Sequence, residues 1–453
     1  MRAVSTLRIP LWYTFAWWLA LPLAAAYLFW RGLRQGAYRR HWAERFFGRG
    51  TAPADGGGPV IWVHAVSVGE TRAAQPLVEA LARRHPQASF MLTHMTPTGR
   101  AAGADLVRAL PGRVRQRYLP YDIPCAVRRF LQETRPRLGV LMETEVWPNL
   151  LRGARRRGVP VMLANARLSP RSLAKAQRYS GLITTAASGL SAVGAQSAAD
   201  GARLARLYEG PITVTGNLKF DMRPDERQLA EGLRWRAVLQ ARFAHAAGPR
   251  PIWLFASTRE GEERLLLAAL RQRASDRGTP PALLLFVPRH PQRFDEVAQL
   301  LGAQGAHVWP RSAWESQAGS RTAADPDEVL LGDSMGEMPM YYAMSDAALI
   351  GGSLLPLGGQ NLIEACACGC PVVLGPHMFN FAQAASDAIE AGAARPASDA
   401  AGALDAMAAI SAQPALRQAM SDAAQAFAAT HRGATARTVA LIEQLLDRNG
   451  SGL

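Results

Sequence analysis

The feature that most restricts how this chain can fold is a double series of short apolar runs, each followed by an amphipathic stretch of helical period. The first series begins at residue 59 and reads VIWVHAVS, SFMLTH, RQRYLP, LGVLMET, VPVMLANA, SAVGAQS and ITVTG, with helical stretches such as TRAAQPLVEALARR between them. A polar helical stretch over residues 224–248 precedes the second series, PIWLFAS, ALLLFVPRH, VLLGDS, ALIGG and PVVLG. Strands that alternate with helices build parallel, doubly wound sheets. At 453 residues the chain is long enough for two such domains. The expected architecture is α/β: two Rossmann-like doubly wound domains facing a cleft, with an N-terminal membrane-anchor helix. The expected boundaries are residues 1–32 for the anchor, 33–222 for the first domain, 223–248 for a connector, 249–432 for the second domain, and 433–453 for a C-terminal helix able to return to the first.

The anchor is read from IPLWYTFAWWLALPLAAAYLFW, which runs between Arg8 and Arg31 without a charge. About 22 residues at 1.5 Å each give roughly 33 Å, enough to cross the hydrocarbon core. Trp12, Trp17, Trp18, Tyr27 and Trp30 suit an interfacial belt. Arg31, Arg34, Arg39, Arg40, Arg45 and Arg49 follow the run and outnumber Arg2 and Arg8 before it, which places the body on the cytoplasmic side. A cleaved signal peptide is the rival reading. The basic block after the run and the lack of a clear small-x-small end to it favour an uncleaved anchor, spanning the bilayer or lying in its interface. TAPADGGGP (51–59) then reads as a linker. The net charge of +15, from 51 Lys+Arg against 36 Asp+Glu, calls for an anionic partner or surface. Arginine is spread along the chain with no basic stripe interleaved with aromatics, so a membrane is preferred to nucleic acid. Cys366, Cys368 and Cys370 match no common zinc spacing and read as small buried thiols.

In doubly wound sheets ligands bind beyond the carboxyl ends of the strands. Polar residues recur there: Glu70 in HAVSVGE, Glu143 and Glu145 in METEVWPN, Asn165, Arg167 and Ser169 in NARLSPRS, and Asn217, Lys219 and Asp221 in GNLKFD. A single Glu at a helix start is accounted for by the helix dipole. Carboxylates, an arginine and a lysine reaching one edge from separate strands point to a site, in which Arg167 and Lys219 hold an anion and a carboxylate takes a proton. In the second series, Ser257 or Thr258 is placed to cap a helix, VPRHPQRF puts Arg289 and His290 at a strand end, and GDSMGEM makes another polar turn. GGQN (358–361) is expected to open a helix whose N-terminus favours a phosphate, with Glu364 in its first turn facing sugar hydroxyls. An ordinary Rossmann-type turn explains the same residues, and from this stretch alone both readings stand. No D-x-D-type acidic motif stands in a convincing loop, and helix termini with basic side chains can neutralise a leaving phosphate without a divalent cation. The layout is that of a GT-B glycosyltransferase.

The ordered set WVHAVSVGE, METEVWPNLL, NARLSPRS, GNLKFD, ASTREGEE, VPRHPQRF, GDSMGEM and GGSLLPLGGQNLIEA resembles the bacterial 3-deoxy-D-manno-oct-2-ulosonic acid (Kdo) transferases of lipopolysaccharide synthesis, over nearly the whole chain. The resemblance implies a GT-B enzyme on the cytoplasmic face of the inner membrane that moves Kdo from CMP-Kdo to the tetraacylated lipid A precursor, with no metal or other cofactor. It implies that Glu70 is the base and that Glu143 and Lys219 support the transition state. The implied nucleotide-binding positions are Pro288, Arg289 and His290, then Met335, Gly336 and Glu337, then Asn361, Leu362, Ile363 and Glu364. Where many relatives carry GGHN this chain has GGQN, so Gln360 can hydrogen-bond but cannot become charged. The anchor is expected to be dispensable for turnover of detergent-dispersed acceptor. Another membrane-associated GT-B enzyme with a UDP-sugar donor and a lipid acceptor is the runner-up; a non-catalytic nucleotide-sugar sensor and a nucleic-acid protein are further alternatives.

Overall fold

The apolar runs of the first series become seven parallel strands: β1 (Val60–His64), β2 (Ser89–His94), β3 (Val114–Tyr118), β4 (Leu138–Met142), β5 (Val161–Ala166), β6 (Ala192–Ala195) and β7 (Ile212–Val214). They are ordered β3-β2-β1-β4-β5-β6-β7 in a computed structural model that describes residues 7–52, 58–221, 224–243, 248–273, 282–317 and 328–448. Residues 53–57 of the expected linker, 222–223 at an expected boundary, 244–247 of the expected connector and both chain ends lie outside the described residues. Successive side chains alternate between two layers, as a strand's period of two requires. Ile61 and Val63 join one core cluster and Trp62 the other. Both faces are covered by helices, which is why these strands read as continuous apolar runs without polar alternation.

The second sheet is also all-parallel and seven-stranded, in the order β10-β11-β9-β8-β12-β13-β14. Its members are β8 (Ile252–Thr258), β9 (Leu283–Pro288), β10 (His307–Pro310), β11 (Glu328–Leu331), β12 (Ala347–Ile350), β13 (Val372–Leu374) and β14 (Ala394–Pro396). The sequence pattern misses β10 and β14. They are four and three residues long, lie at the two edges and are only partly buried, so neither carries the apolar run that marks a central strand.

The chain divides into two units, Met1–Met222 with His431–Leu453, and Arg223–Thr430. In the first, the helix Ala434–Arg448 lies on the helix Val68–Arg84, with Glu443 Oε1 3.0 Å from Arg84 and 3.4 Å from His85. Its start is capped by Asp221, whose carboxylate accepts from Gly433 N at 2.6 Å and from Thr435 N. In the second, the helix Glu226–Arg242 buries Trp235 against Trp309 and Trp314. Gly232 permits this packing, since a Cβ there would sit 2.4 Å from Met340 O.

The N-terminal helix, Leu11–Arg34, is long and apolar enough to cross a membrane, and its outward side chains include Trp12, Phe15, Trp18, Leu23, Tyr27 and Trp30. One narrow stripe turns inward instead. Tyr13 Oη donates to Asp122 at 2.9 Å, Thr14 meets the Asn149 side chain at 3.3 Å, and Leu28 is buried. Trp17, expected in the interfacial belt, is stacked on Trp147 and tilted against Tyr121. The belt therefore lacks Trp17, and the helix is packed along the first unit.

Candidate active site

In the first sheet β1 lies between β2 and β4, and the chain leaves β1 and β4 in opposite directions. Such a switch point opens a crevice at the carboxyl ends of the two strands. Glu70 follows β1, and Glu143 and Glu145 follow β4. Ser67 caps the helix Val68–Arg84, accepting from Glu70 N at 3.4 Å. The Glu70 carboxylate reaches back to accept from Val66 N at 2.7 Å and from Ser67 Oγ at 3.1 Å. This is a capping box, and those hydrogen bonds by themselves favour the ionised form. Burial outweighs them, and with the nearby Glu143 and Glu145 it pushes the Glu70 carboxyl up to about 7.

Glu143 is buried and takes a left-handed backbone, φ +58°. That conformation costs a non-glycine residue about 1–2 kcal/mol. Its carboxylate accepts from Arg167 Nε at 2.9 Å and from Lys219 Nζ at 3.2 Å, so residues from the ends of β4, β5 and β7 meet there. The Lys219 turn is fixed by two asparagines: Asn165 Oδ1 accepts from Leu218 N and Asn217 Oδ1 accepts from Lys219 N, each at 3.0 Å. Glu145 accepts from Trp147 Nε1 at 2.7 Å, and burial raises its pKa. Ser169 and Asp221 stand apart from this group. Ser169 caps the helix Pro170–Arg178 and Asp221 caps the C-terminal helix, so both are spent on backbone N–H groups.

The sequence reading passed over His64 and His94, both fully buried at strand ends. His64 Nδ1 lies 2.9 Å from Thr93 Oγ1, and His94 Nδ1 lies 3.0 Å from Ala65 O. Burial lowers them to about 3 and about 4, so both are neutral at physiological pH and serve as packing and hydrogen-bonding groups. The His at the head of HAVSVGE was the available signal.

The second sheet has its switch point at β8, between β9 and β12. Glu262, buried in the first turn of the helix Glu262–Arg273, accepts from three backbone amides: Gly352 N at 2.6 Å, Arg259 N at 2.9 Å and Leu354 N at 3.1 Å. It thereby ties the turn after β8 to the glycine turn after β12. The expected cap by Ser257 or Thr258 is not made, because β8 continues through Thr258 and the helix starts only at Glu262. Arg289 Nε donates to Gln360 Oε1 at 3.1 Å, bringing VPRH and GGQN together. Pro288 is buried in β9, and the exposed His290 ring has its pKa lowered by burial and by Arg259, Arg289 and Arg293. Those guanidiniums make this edge electropositive and suited to an anion.

At the end of β11, Glu337 accepts from Arg311 at 3.2 Å and from Ser334, whose hydroxyl lies 2.7 Å from Tyr341 Oη. Gly336 has φ +85° and its carbonyl accepts from Gln228, while Met335 is exposed. GGQN does not itself start a helix. Gly358 and Gly359 have positive φ, and the helix that follows is only Ile363–Ala367. Its dipole is correspondingly small. Leu362 and Ile363 point into the core, so at these positions only backbone groups remain for a ligand; the half-buried Asn361 accepts from Ile363 N at 3.1 Å, and Glu364 is half-buried beside it. Among the described residues no three His, Cys, Asp or Glu side chains gather as a metal site requires.

Comparison with known proteins follows the same lines. The family model for 3-deoxy-D-manno-octulosonic-acid transferase (kdotransferase) matches residues 40–222. A 3-deoxy-D-manno-octulosonic acid transferase of Bordetella pertussis is 49% identical over 439 residues, covering 96% of this chain and 99% of the relative. The Haemophilus influenzae protein of the same name is 35% identical over 443 residues, 96% of this chain and 99% of its own. A solved glycosyltransferase of Rickettsia africae superposes with a TM-score of 0.55 at 13% identity, over 86% of this chain and 98% of that one. The last is a likeness of fold alone, and the fold is GT-B. The chain belongs to the 3-deoxy-D-manno-octulosonic acid transferase family.

Proposed function

We propose that this chain transfers Kdo from CMP-Kdo to the tetraacylated lipid A precursor, with inversion at the anomeric carbon and with Glu70 as general base. The observation that supports the base assignment is the place of Glu70 at the carboxyl end of β1, beside the switch point, with its carboxylate fixed by Val66 N and Ser67 Oγ; burial, with Glu143 and Glu145 nearby, pushes that carboxyl up to about 7. A base whose pKa lies near the working pH combines a populated carboxylate with useful proton affinity. The acceptor's primary hydroxyl oxygen forms a bond to the Kdo anomeric carbon while the bond from that carbon to the phosphate oxygen breaks. The hydroxyl proton passes to Glu70 and CMP leaves with the electron pair.

The two units divide the remaining work. Glu143 acts as the fixed counter-ion that sets Lys219 and Arg167, and Lys219 answers the donor's negative charge. Arg289, His290 and the backbone around residues 361–364 take the cytidylate, with Pro288, Met335, Gly336, Glu337 and Glu364 lining that part. Gln360 serves there by holding Arg289, which a neutral amide does at any pH.

The acceptor never leaves the bilayer, and the N-terminal helix keeps the enzyme beside it. Its inward stripe is occupied by contacts with the first unit, which supports a helix lying in the plane of the cytoplasmic leaflet of the inner membrane. Arg31, Arg34, Arg39 and Arg40 then meet anionic headgroups, each contributing about 1 kcal/mol.

Glu70→Gln tests the base. It retains an acceptor for Val66 N, and it is expected to lower transfer by about 10² to 10⁴ while CMP-Kdo binding is unchanged. Near-normal turnover in that variant ends the assignment.

A further inference from the structure

The N-terminal helix touches the chain at the turn that carries the acidic cluster. Trp17 stacks on Trp147 with ring centroids 6.0 Å apart and planes 19° apart. Trp147 is the N-cap residue of the helix Pro148–Arg155, and its indole N–H donates to Glu145 at 2.7 Å. The edge of the same indole faces the His64 ring at 6.4 Å, where β1 ends. The neighbouring contacts pin the same segment. Asp122 accepts from Tyr13 of the N-terminal helix and from the amides of Asn149 and Leu150, each amide at 2.8 Å, and Thr14 meets the Asn149 side chain.

We propose that Trp147 is a positioning residue of the acidic cluster, orienting Glu145 toward the field felt by Glu70, and that the N-terminal helix sets Trp147 through Trp17. The helix is then part of the site's construction as well as its tether to lipid. This rests on the reading of Glu70 as the base, and the test is arranged so that the two can fail separately.

The charged and titratable groups around Glu70 and Glu145 are Glu143, Arg167 and Lys219 from the ends of β4, β5 and β7, and His64 at the end of β1, which is neutral above about 3. The indole hydrogen bond favours ionised Glu145, and ionised Glu145 holds the Glu70 carboxyl up. Loss of the indole N–H therefore lets Glu145 take a proton more readily. The repulsion that Glu145 exerts on Glu70 weakens to the extent that Glu145 is protonated, and Glu70 then ionises at lower pH.

The experiment is the pH profile of the transfer rate in the full chain with detergent-dispersed acceptor. Trp147→Phe keeps an aromatic ring for Trp17 and removes the donor together with the smaller ring of the indole. Its acid limb is expected about 0.5 unit lower than wild type, with a several-fold fall in kcat and KM for CMP-Kdo within about twofold. Trp17→Ala is expected to move the limb in the same direction and Trp17→Phe to restore it. Trp18→Ala, on the exposed face of the helix, is expected to weaken sedimentation with anionic vesicles and leave the limb in place. An acid limb that stays at the wild-type position in Trp147→Phe, with Glu70→Gln inactive, overturns this inference and leaves the base assignment standing. Full turnover by Glu70→Gln overturns the base assignment itself. Should Trp147→Phe not fold, the Trp17 pair decides: a limb unmoved in Trp17→Ala refutes the link, and a shift reversed by Trp17→Phe supports it.

Discussion

At the scale of single residues, the proposed chemistry turns on a contest between burial and hydrogen bonding at Glu70. Two donors favour its carboxylate, yet desolvation and two neighbouring carboxylates prevail and leave it titrating at about 7. The sign of the consequence is fixed. A base must be ionised, so kcat/KM for transfer rises as pH passes upward through about 7, and this limb is expected to be absent from the residual rate of Glu70→Gln. Rates from pH 5.5 to 8.5 check it, and a flat profile from pH 5.5 upward contradicts it. The same shift makes Glu70 a burden on stability. Its ionisation disfavours the folded state as pH rises from 4.5, its ordinary value, through about 7, and the burden vanishes below 4.5.

Among the elements, the two that matter most to the site are a buried carboxylate spanning two turns and a helix laid on the first unit. Glu262 satisfies three buried backbone amides. Glu262→Ala leaves them unpaired and is expected to cost about 3 kcal/mol, with raised KM for CMP-Kdo. Chemical denaturation and initial rates measure both, and an unchanged midpoint refutes the role. Removal of residues 1–34 strips Trp17 from Trp147 and Tyr13 from Asp122. Burial of large apolar side chains contributes about 1.5–3 kcal/mol each, against a total of about 5–15 kcal/mol for a domain. The truncated chain is therefore expected to melt several degrees lower and to transfer more slowly even with dispersed acceptor, contrary to the independence that the sequence implied. Equal melting points and rates favour a detachable anchor. Central strands were legible because burial on both faces writes itself as an apolar run. The edges β10 and β14 were not, since a short half-exposed strand leaves no such record. The inward stripe of the N-terminal helix was legible only as a spacing, Tyr13, Trp17 and Leu28 on one face, hidden within a run in which nearly every residue is apolar. Glu70 could be named from its motif, but its elevated pKa depends first on burial and then on Glu143 and Glu145, 73 and 75 positions later in the chain, and no local pattern encodes either.

For the whole molecule, two doubly wound sheets of seven strands each carry polar residues at a switch point, and on the proposed reading one unit supplies the base and the other the arginines for a nucleotide. The helix Ala434–Arg448 belongs to the first unit and adds Val439, Ile442, Leu445 and Leu446 to its core, so residues from both sides of the second unit in sequence build the first. The net charge of +15 and the apolar outer face of the N-terminal helix suit the anionic membrane surface that the proposed function requires. The most direct measurement is the mass of the acceptor after the purified full chain is incubated with CMP-Kdo and tetraacylated lipid A precursor. The predicted result is an acceptor heavier by one or more Kdo residues, formed in competition with CMP and indifferent to UDP. An acceptor of unchanged mass with CMP-Kdo, or one extended from a UDP-sugar, contradicts the account.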